Sequence, residues 1–274
     1  MNRLSKHGVL AMLLGAAAVV ACDKNGRQDI TAPATGARVK FFNFAVNAPG
    51  VNFYANDSKI TAVTTGVCSP SSGTRDTTTL CNTTGNEAAT GTNYGSAGNG
   101  GLYNDVAPGS VKLASEIAAT TDKGLPISSV TTSLDDGKYY SYFVSGMYNS
   151  TTKQADAFVV EDPLPATADY SHAYVRFVNA ISNSQPMTLY VKGSTATSEI
   201  AVGAAVAYKG AGAFTPVPPD VYELDTRATG SGTNLITRTG VSFVAGHMYT
   251  ITSRGDMTST ATATKPALDN TANQ

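Results

Sequence analysis

The sequence predicts an all-β protein: two tandem immunoglobulin-like antiparallel β-sandwich domains. Three observations carry that expectation. Composition is the first. Of 274 residues, 42% are hydrophobic and 14% charged, with 13 Tyr, no Trp and abundant Gly, a balance that suits strands and turns better than helices. The second is period-two alternation. VNFYA at 51–55 and MTLYV at 187–191 put apolar side chains on one face. The third is self-similarity. ARVKFFN at 37–43 is matched by AYVRFVN at 173–179, and further blocks follow in the same order in both halves.

Arg3 and Lys6 make a short basic start. Residues 9–20 are then apolar or glycine, too short for the roughly 20 residues a spanning helix needs and right for a secretory signal. The run ends Val19-Val20-Ala21-Cys22, which resembles the bacterial lipobox. That resemblance implies that residues 1–21 are removed and that the Cys22 thiol carries a diacylglyceryl group. Two or three acyl chains hold a protein on a membrane where one does not. The plainer alternative is an ordinary signal peptide with a chance cysteine. Residues 22–36 are expected to form a flexible tether, polar and without periodicity, with Pro33 and Gly36.

The first repeat is expected at 37–163 and the second at 170–264. The offset is 136 at the opening strands and still holds at Tyr54 and Tyr190. It falls to 111 where YNDVAPGSVKL at 103–113 meets FTPVPPDVYEL at 214–224. The first copy is therefore 25 residues longer in between. GKYYSY at 137–142 then parallels GHMYTI at 246–251. VAPG at 106–109 and VPPD at 217–220 are turn chemistry ahead of a strand. No segment after residue 36 shows a capped 3.6-residue periodicity, so short strands spaced by turns point to a sandwich per repeat. The linker DPLP at 162–165 suggests a restrained, end-to-end arrangement, and 265–274 is expected to be a disordered tail.

The insertion, at about 61–101, is rich in Gly, Ser, Thr and Asn and contains Cys68 and Cys81. With Cys22 lipidated, these two thiols are expected to pair in an oxidising envelope. Closing so short a loop contributes roughly 3 kcal/mol. The loop reads first as a stapled solvent loop. A binding loop held in shape, or two free thiols, are the other readings.

With these blocks in hand, the chain resembles the bacterial domain-of-unknown-function 4397 family. The opening A-x-V-[KR]-F-x-N strand, the Tyr-bearing strand after it and the P-G or P-D turn carry the resemblance. It implies envelope or secreted proteins with tandem β-sandwiches, and it carries over no catalytic residue. The long cysteine-bearing insertion departs from the family's compact pattern.

Catalytic, cofactor and metal sites are not expected. His172 stands at a linker edge and His247 after a turn glycine. No G-x-S-x-G elbow accompanies them. Asp135 and Asp136 before Gly137 read as a turn rather than a calcium loop, and GNGG at 98–101 lacks the lysine and helix of a phosphate cradle. The net charge of -1 without a basic face argues against nucleic acid. The expected function is a non-catalytic binding or structural module, held on the membrane through Cys22 and meeting an envelope protein or glycan. An envelope glycan- or peptide-directed hydrolase and a surface-layer component are the alternatives.

Overall fold

A computed structural model describes residues 35–61, 64–67, 80–83, 91–165 and 169–273, and all of these but Thr35 lie within the compact unit 36–274. The expected signal peptide, Cys22 and the expected tether up to residue 34 lie outside the described residues, as does Cys68. Cys81 is placed by its backbone alone, opposite Gly66.

The described chain is all β apart from one 3-10 turn at Gly98–Gly101. Eleven strands make the first half: β1 Ala37–Asn43, β2 Val51–Ala55, β3 Ser58–Lys59, β4 Thr64–Val67, β5 Leu80–Thr83, β6 Ser96–Ala97, β7 Asn104–Val106, β8 Gly109–Ile117, β9 Pro126–Leu134, β10 Tyr139–Asn149 and β11 Gln154–Glu161. Eight follow: β12 Ala173–Asn179, β13 Met187–Gly193, β14 Ile200–Val206, β15 Thr215–Val217, β16 Asp220–Ala228, β17 Ile236–Phe243, β18 Met248–Arg254 and β19 Ala267–Ala272.

Two sandwiches result. In the first, a sheet ordered β3-β2-β8-β9 faces one ordered β11-β10-β1, with β6 and β7 both on the far edge of β1. In the second, β14-β13-β16-β17 faces β15-β12-β18-β19. Each encloses its own core. Val39, Phe41, Phe53, Leu113 and Tyr142 fill the first, and Val175, Phe177, Leu189, Leu224 and Ile251 the second.

Antiparallel pairing holds with one exception per sandwich. β1 runs parallel to β10, with Arg38 opposite Tyr139, and β12 runs parallel to β18, with Tyr174 opposite Met248. A parallel pair needs a crossover between its strands. The strands of the opposite sheet supply it.

The motifs read from the sequence do identifiable work. Asn43 and Asn179, both fully buried, end the first strand of each sandwich and tie down the chain beyond it. Asn43 Nδ2 donates to the Pro49 and Thr92 carbonyls at 3.0 and 2.9 Å. Asn179 Nδ2 donates to Ser184 Oγ at 2.9 Å and the Val206 carbonyl at 3.2 Å. The glycine turns before β10 and β18 need positive φ, +73° at Gly137 and +77° at Gly246. Across each turn a tyrosine accepts a backbone hydrogen bond: Asp135 N to Tyr140 Oη at 3.0 Å, Val244 N to Tyr249 Oη at 3.1 Å.

Two expectations are corrected. The sandwiches do not meet end to end. The second face of the β1–β10 sheet is also apolar, and it is covered by the second sandwich. Phe42, Phe44, Phe143 and Phe158 pack there against Val178 and Ala180, with Phe143 stacked on Phe42 at 4.7 Å and on Phe158 at 5.0 Å. This explains why β1 and β12 are buried on both faces over nearly their whole length. Nor are residues 265–273 a disordered tail. β19 pairs with β18 from Tyr249–Ala272 to Arg254–Ala267, and Leu268 enters the core at 3% exposure. Residues 258–264 form a turn-rich loop that precedes it.

Candidate functional site

The sandwiches hold few groups capable of chemistry. Ser171, His172 and Asp169 come together at the start of the second sandwich, but not as a relay. Ser171 Oγ and Asp169 Oδ2 both lie 2.9 Å from the same ring nitrogen, His172 Nδ1. A nucleophile–base–acid relay needs serine and acid on opposite nitrogens. The exposed Asp169 carboxylate is instead a turn cap. Hydrogen bonds from the Ser171 backbone and hydroxyl, then from His172, hold its pKa down. His247 Nδ1 contacts the Ala245 carbonyl at 3.1 Å. The Asp135–Asp136 pair makes a turn: Asp136 Oδ1 accepts from Gly36 N, and Asp135 pairs with Lys138 at 3.0 Å. Among the described residues no group of three or more His, Cys, Asp or Glu side chains could hold a metal ion.

The densest polar chemistry lies in the seam between the sandwiches. Arg176 points from β12 out of its own core and is 0% exposed; Asp162, just past β11, is 1% exposed. The Arg176 guanidinium donates to Asp162 Oδ1, to the Glu161 carbonyl at 2.9 Å and to Thr250 Oγ1 at 2.9 Å. Asp162 Oδ2 also accepts from Tyr103 Oη at 2.7 Å and Ser141 Oγ at 2.8 Å. Lys40 on β1 reaches the same place from the other side. Its ammonium donates to the Ala272 carbonyl and lies 4.3 Å from the centre of the Tyr103 ring. Asn273 closes the circuit, donating to Tyr103 Oη at 3.2 Å and accepting from Thr250 Oγ1 at 3.0 Å.

Arg176 thus pairs with the Asp162 carboxylate, and the Lys40 ammonium lies within its field, all away from water. Burial lowers the Lys40 pKa to about 8; Asp162 raises it and Arg176 lowers it further. Burial also pushes the Tyr103 phenol well above its usual range, with Asp162 adding to the shift. Such a Lys would be reactive if reachable, but Lys40 is 2% exposed. The cluster joins the two sandwiches, and its charged side chains are all buried.

Tyr94 of the insertion and Tyr103 just past it are committed to the same seam. Tyr103 serves the cluster, and the Tyr94 ring lies 5.0 Å from the Arg254 guanidinium. On the outer face of the second sandwich the Tyr190 ring is covered by Arg227, 4.5 Å away and paired with Glu199. No stacking platform is left at these positions. Two concavities open elsewhere on the second sandwich, of about 550 Å³ beside β17 and β19 and about 310 Å³ beside Lys192, Val221 and Glu223.

Of the sequence-predicted site residues, Cys22, Cys68 and the Cys81 side chain lie outside the described residues. The seam cluster was not foreseen. Its signal was present: Lys40 and Arg176 fill the same position in the two opening strands, a charge inside an otherwise apolar run.

Residues 173–274, hence β12 to β19, match the family described as Domain of unknown function (DUF4397). No curated protein matches the chain. Among solved structures, the chain aligns with a candidate cell adhesion protein from Bacteroides fragilis at 9% identity and a TM-score of 0.24, over 87% of this chain and 98% of that one. It also aligns with a leucine-rich repeat protein from Bacteroides thetaiotaomicron at 13% identity and a TM-score of 0.19, over 82% of this chain and 26% of that one. Neither alignment is close enough to carry an argument.

Proposed function

We propose that the protein is a lipid-anchored component of the bacterial cell envelope whose two sandwiches, copies of one domain, act as a rigid non-catalytic binding or spacer body. One observation carries the reading: the seam. A buried ion cluster and a stacked phenylalanine layer join the sandwiches, so their outer sheets and loops sit on a common frame. The matched parallel pairings of β1 with β10 and β12 with β18 support duplication. Anchoring rests on Val19-Val20-Ala21-Cys22 and on the polar stretch that follows. In such a protein the fold holds surfaces in a fixed arrangement relative to one another and performs no reaction.

Cys22→Ala tests the anchor. The variant is expected to lose membrane partitioning or to keep its signal peptide, read by fractionation and intact mass. Unchanged processing and partitioning would overturn the anchored reading. Cross-linking in cells, followed by pulldown, tests the binding role; recovery of neither envelope protein nor glycan leaves only the spacer.

A further inference from the structure

The concavity of about 550 Å³ lies where the edge of β17 meets β19 and the loop before it. Its chemistry is one-sided. Arg238 and Lys265 line it, and no carboxylate does. That is unusual in this protein. Arg38, Lys138, Lys153, Arg227 and Arg254 each meet an Asp or Glu. Among the described residues Arg238 and Lys265 form no ion pair. The one side-chain hydrogen bond of Arg238 runs from one terminal nitrogen to the Leu268 carbonyl at 2.7 Å. It anchors the guanidinium and leaves the rest of its donor fork for a ligand. Beside the cations stand the Thr260 hydroxyl and the apolar surfaces of Leu235 and Pro266.

The loop wall is built in advance. Asp256 accepts from Thr258 N, Thr258 Oγ1 and Asn183 Nδ2 at 2.7–2.8 Å, and Met257 N donates back to Asn183 at 3.1 Å. Ser259 and Thr264 hydroxyls meet at 2.7 Å across the loop. At Gly255, φ is +116°, and a Cβ there would come within 2.5 Å of the Lys265 carbonyl. A loop held this way presents its groups at little ordering cost.

We infer that this concavity is a binding site for an oxyanion carried on a sugar ring, a uronate carboxylate or a sugar phosphate. Arg238 and Lys265 take the charge, Thr260 takes a ring hydroxyl, and Leu235 and Pro266 lie under the apolar face of the ring. The inference rests on the binding reading above and gives it a ligand class. Its test is separate, because it needs no membrane.

Glucuronate, glucose 1-phosphate and glucose are titrated into the isotope-labelled full-length chain. Saturable shifts at the Thr260 and Lys265 amides with either acid, and none with glucose, are expected. The tighter acid identifies the source of the anion. Lys265→Gln, which disturbs no described side-chain contact, should weaken binding at least fivefold, and Arg238→Gln at least tenfold. Equal response to glucose, no response to either acid, or full binding by Lys265→Gln would overturn the site. If cellular pulldown still recovers glycan after such a result, the binding module stands and only this site falls.

Discussion

Arg176 and Asp162 form a fully buried ion pair between the two sandwiches, each at most 1% exposed. The arginine belongs to the opening strand of the second sandwich, and the aspartate follows the last strand of the first. Removing one partner from such a pair leaves an unpaired buried charge. Asp162→Asn should therefore lower stability by about 3–5 kcal/mol in urea unfolding. A loss below about 1 kcal/mol would mean that water reaches the seam.

Stability should depend on pH in a way that reports Lys40. Its folded pKa of about 8 lies below the ordinary 10.5. Between those values the unfolded chain holds a proton that the folded chain has released, so stability rises with pH from about 8. Above about 10 the buried Tyr103 and Tyr142 resist an ionisation that the unfolded chain undergoes, and stability falls. The Lys40 rise amounts to about 2–3 kcal/mol by pH 10. Lys40→Met should abolish it, as followed by urea midpoints from pH 7 to 11. Persistence of the rise in the variant would assign it to another group.

The tyrosines that clasp the glycine turns should act independently. Tyr140→Phe and Tyr249→Phe each remove the acceptor of a backbone N–H and should cost about 1 kcal/mol. The two share no partner, so the double variant should lose their sum. Strong non-additivity by thermal unfolding would contradict that separation.

A buried hydroxyl separates the two cores. In the first, Ser115, Ser128 and Tyr142 form a closed chain at 2.6 and 3.0 Å. At the matching place in the second, Thr226 is buried and its hydroxyl has no partner among the described residues, and isoleucine occupies the place of Tyr142. Thr226→Val should be neutral or stabilising, whereas Ser128→Ala should lose about 1–2 kcal/mol. Calorimetry of both variants checks the contrast.

The strands were legible because alternation and turn residues are local signals. The blocks around Phe41, Tyr140, Phe177 and Tyr249 all lie on strands that feed a core. What escaped was non-local. The second apolar face of β1, made by Phe42 and extended by Phe44 just past the strand, breaks alternation, and its meaning depends on a partner sheet more than a hundred residues away. Asp162 looked like a linker acid because its partner Arg176 is brought to it only by packing. β19 was missed because ALDNTA has one strongly apolar residue, Leu268, and owes its place to pairing with β18. The candidate sugar-anion site was equally hidden, since Arg238 and Lys265 converge only through the fold.

The rigid seam is the central claim, and hydrogen exchange read peptide by peptide tests it most directly. Under mild urea, β1 and β10 of the first sandwich and β12 and β18 of the second should lose protection together, and Asp162→Asn should lower both. Loss of protection in one pair while the other keeps its full protection, unaffected by Asp162→Asn, would contradict a single body.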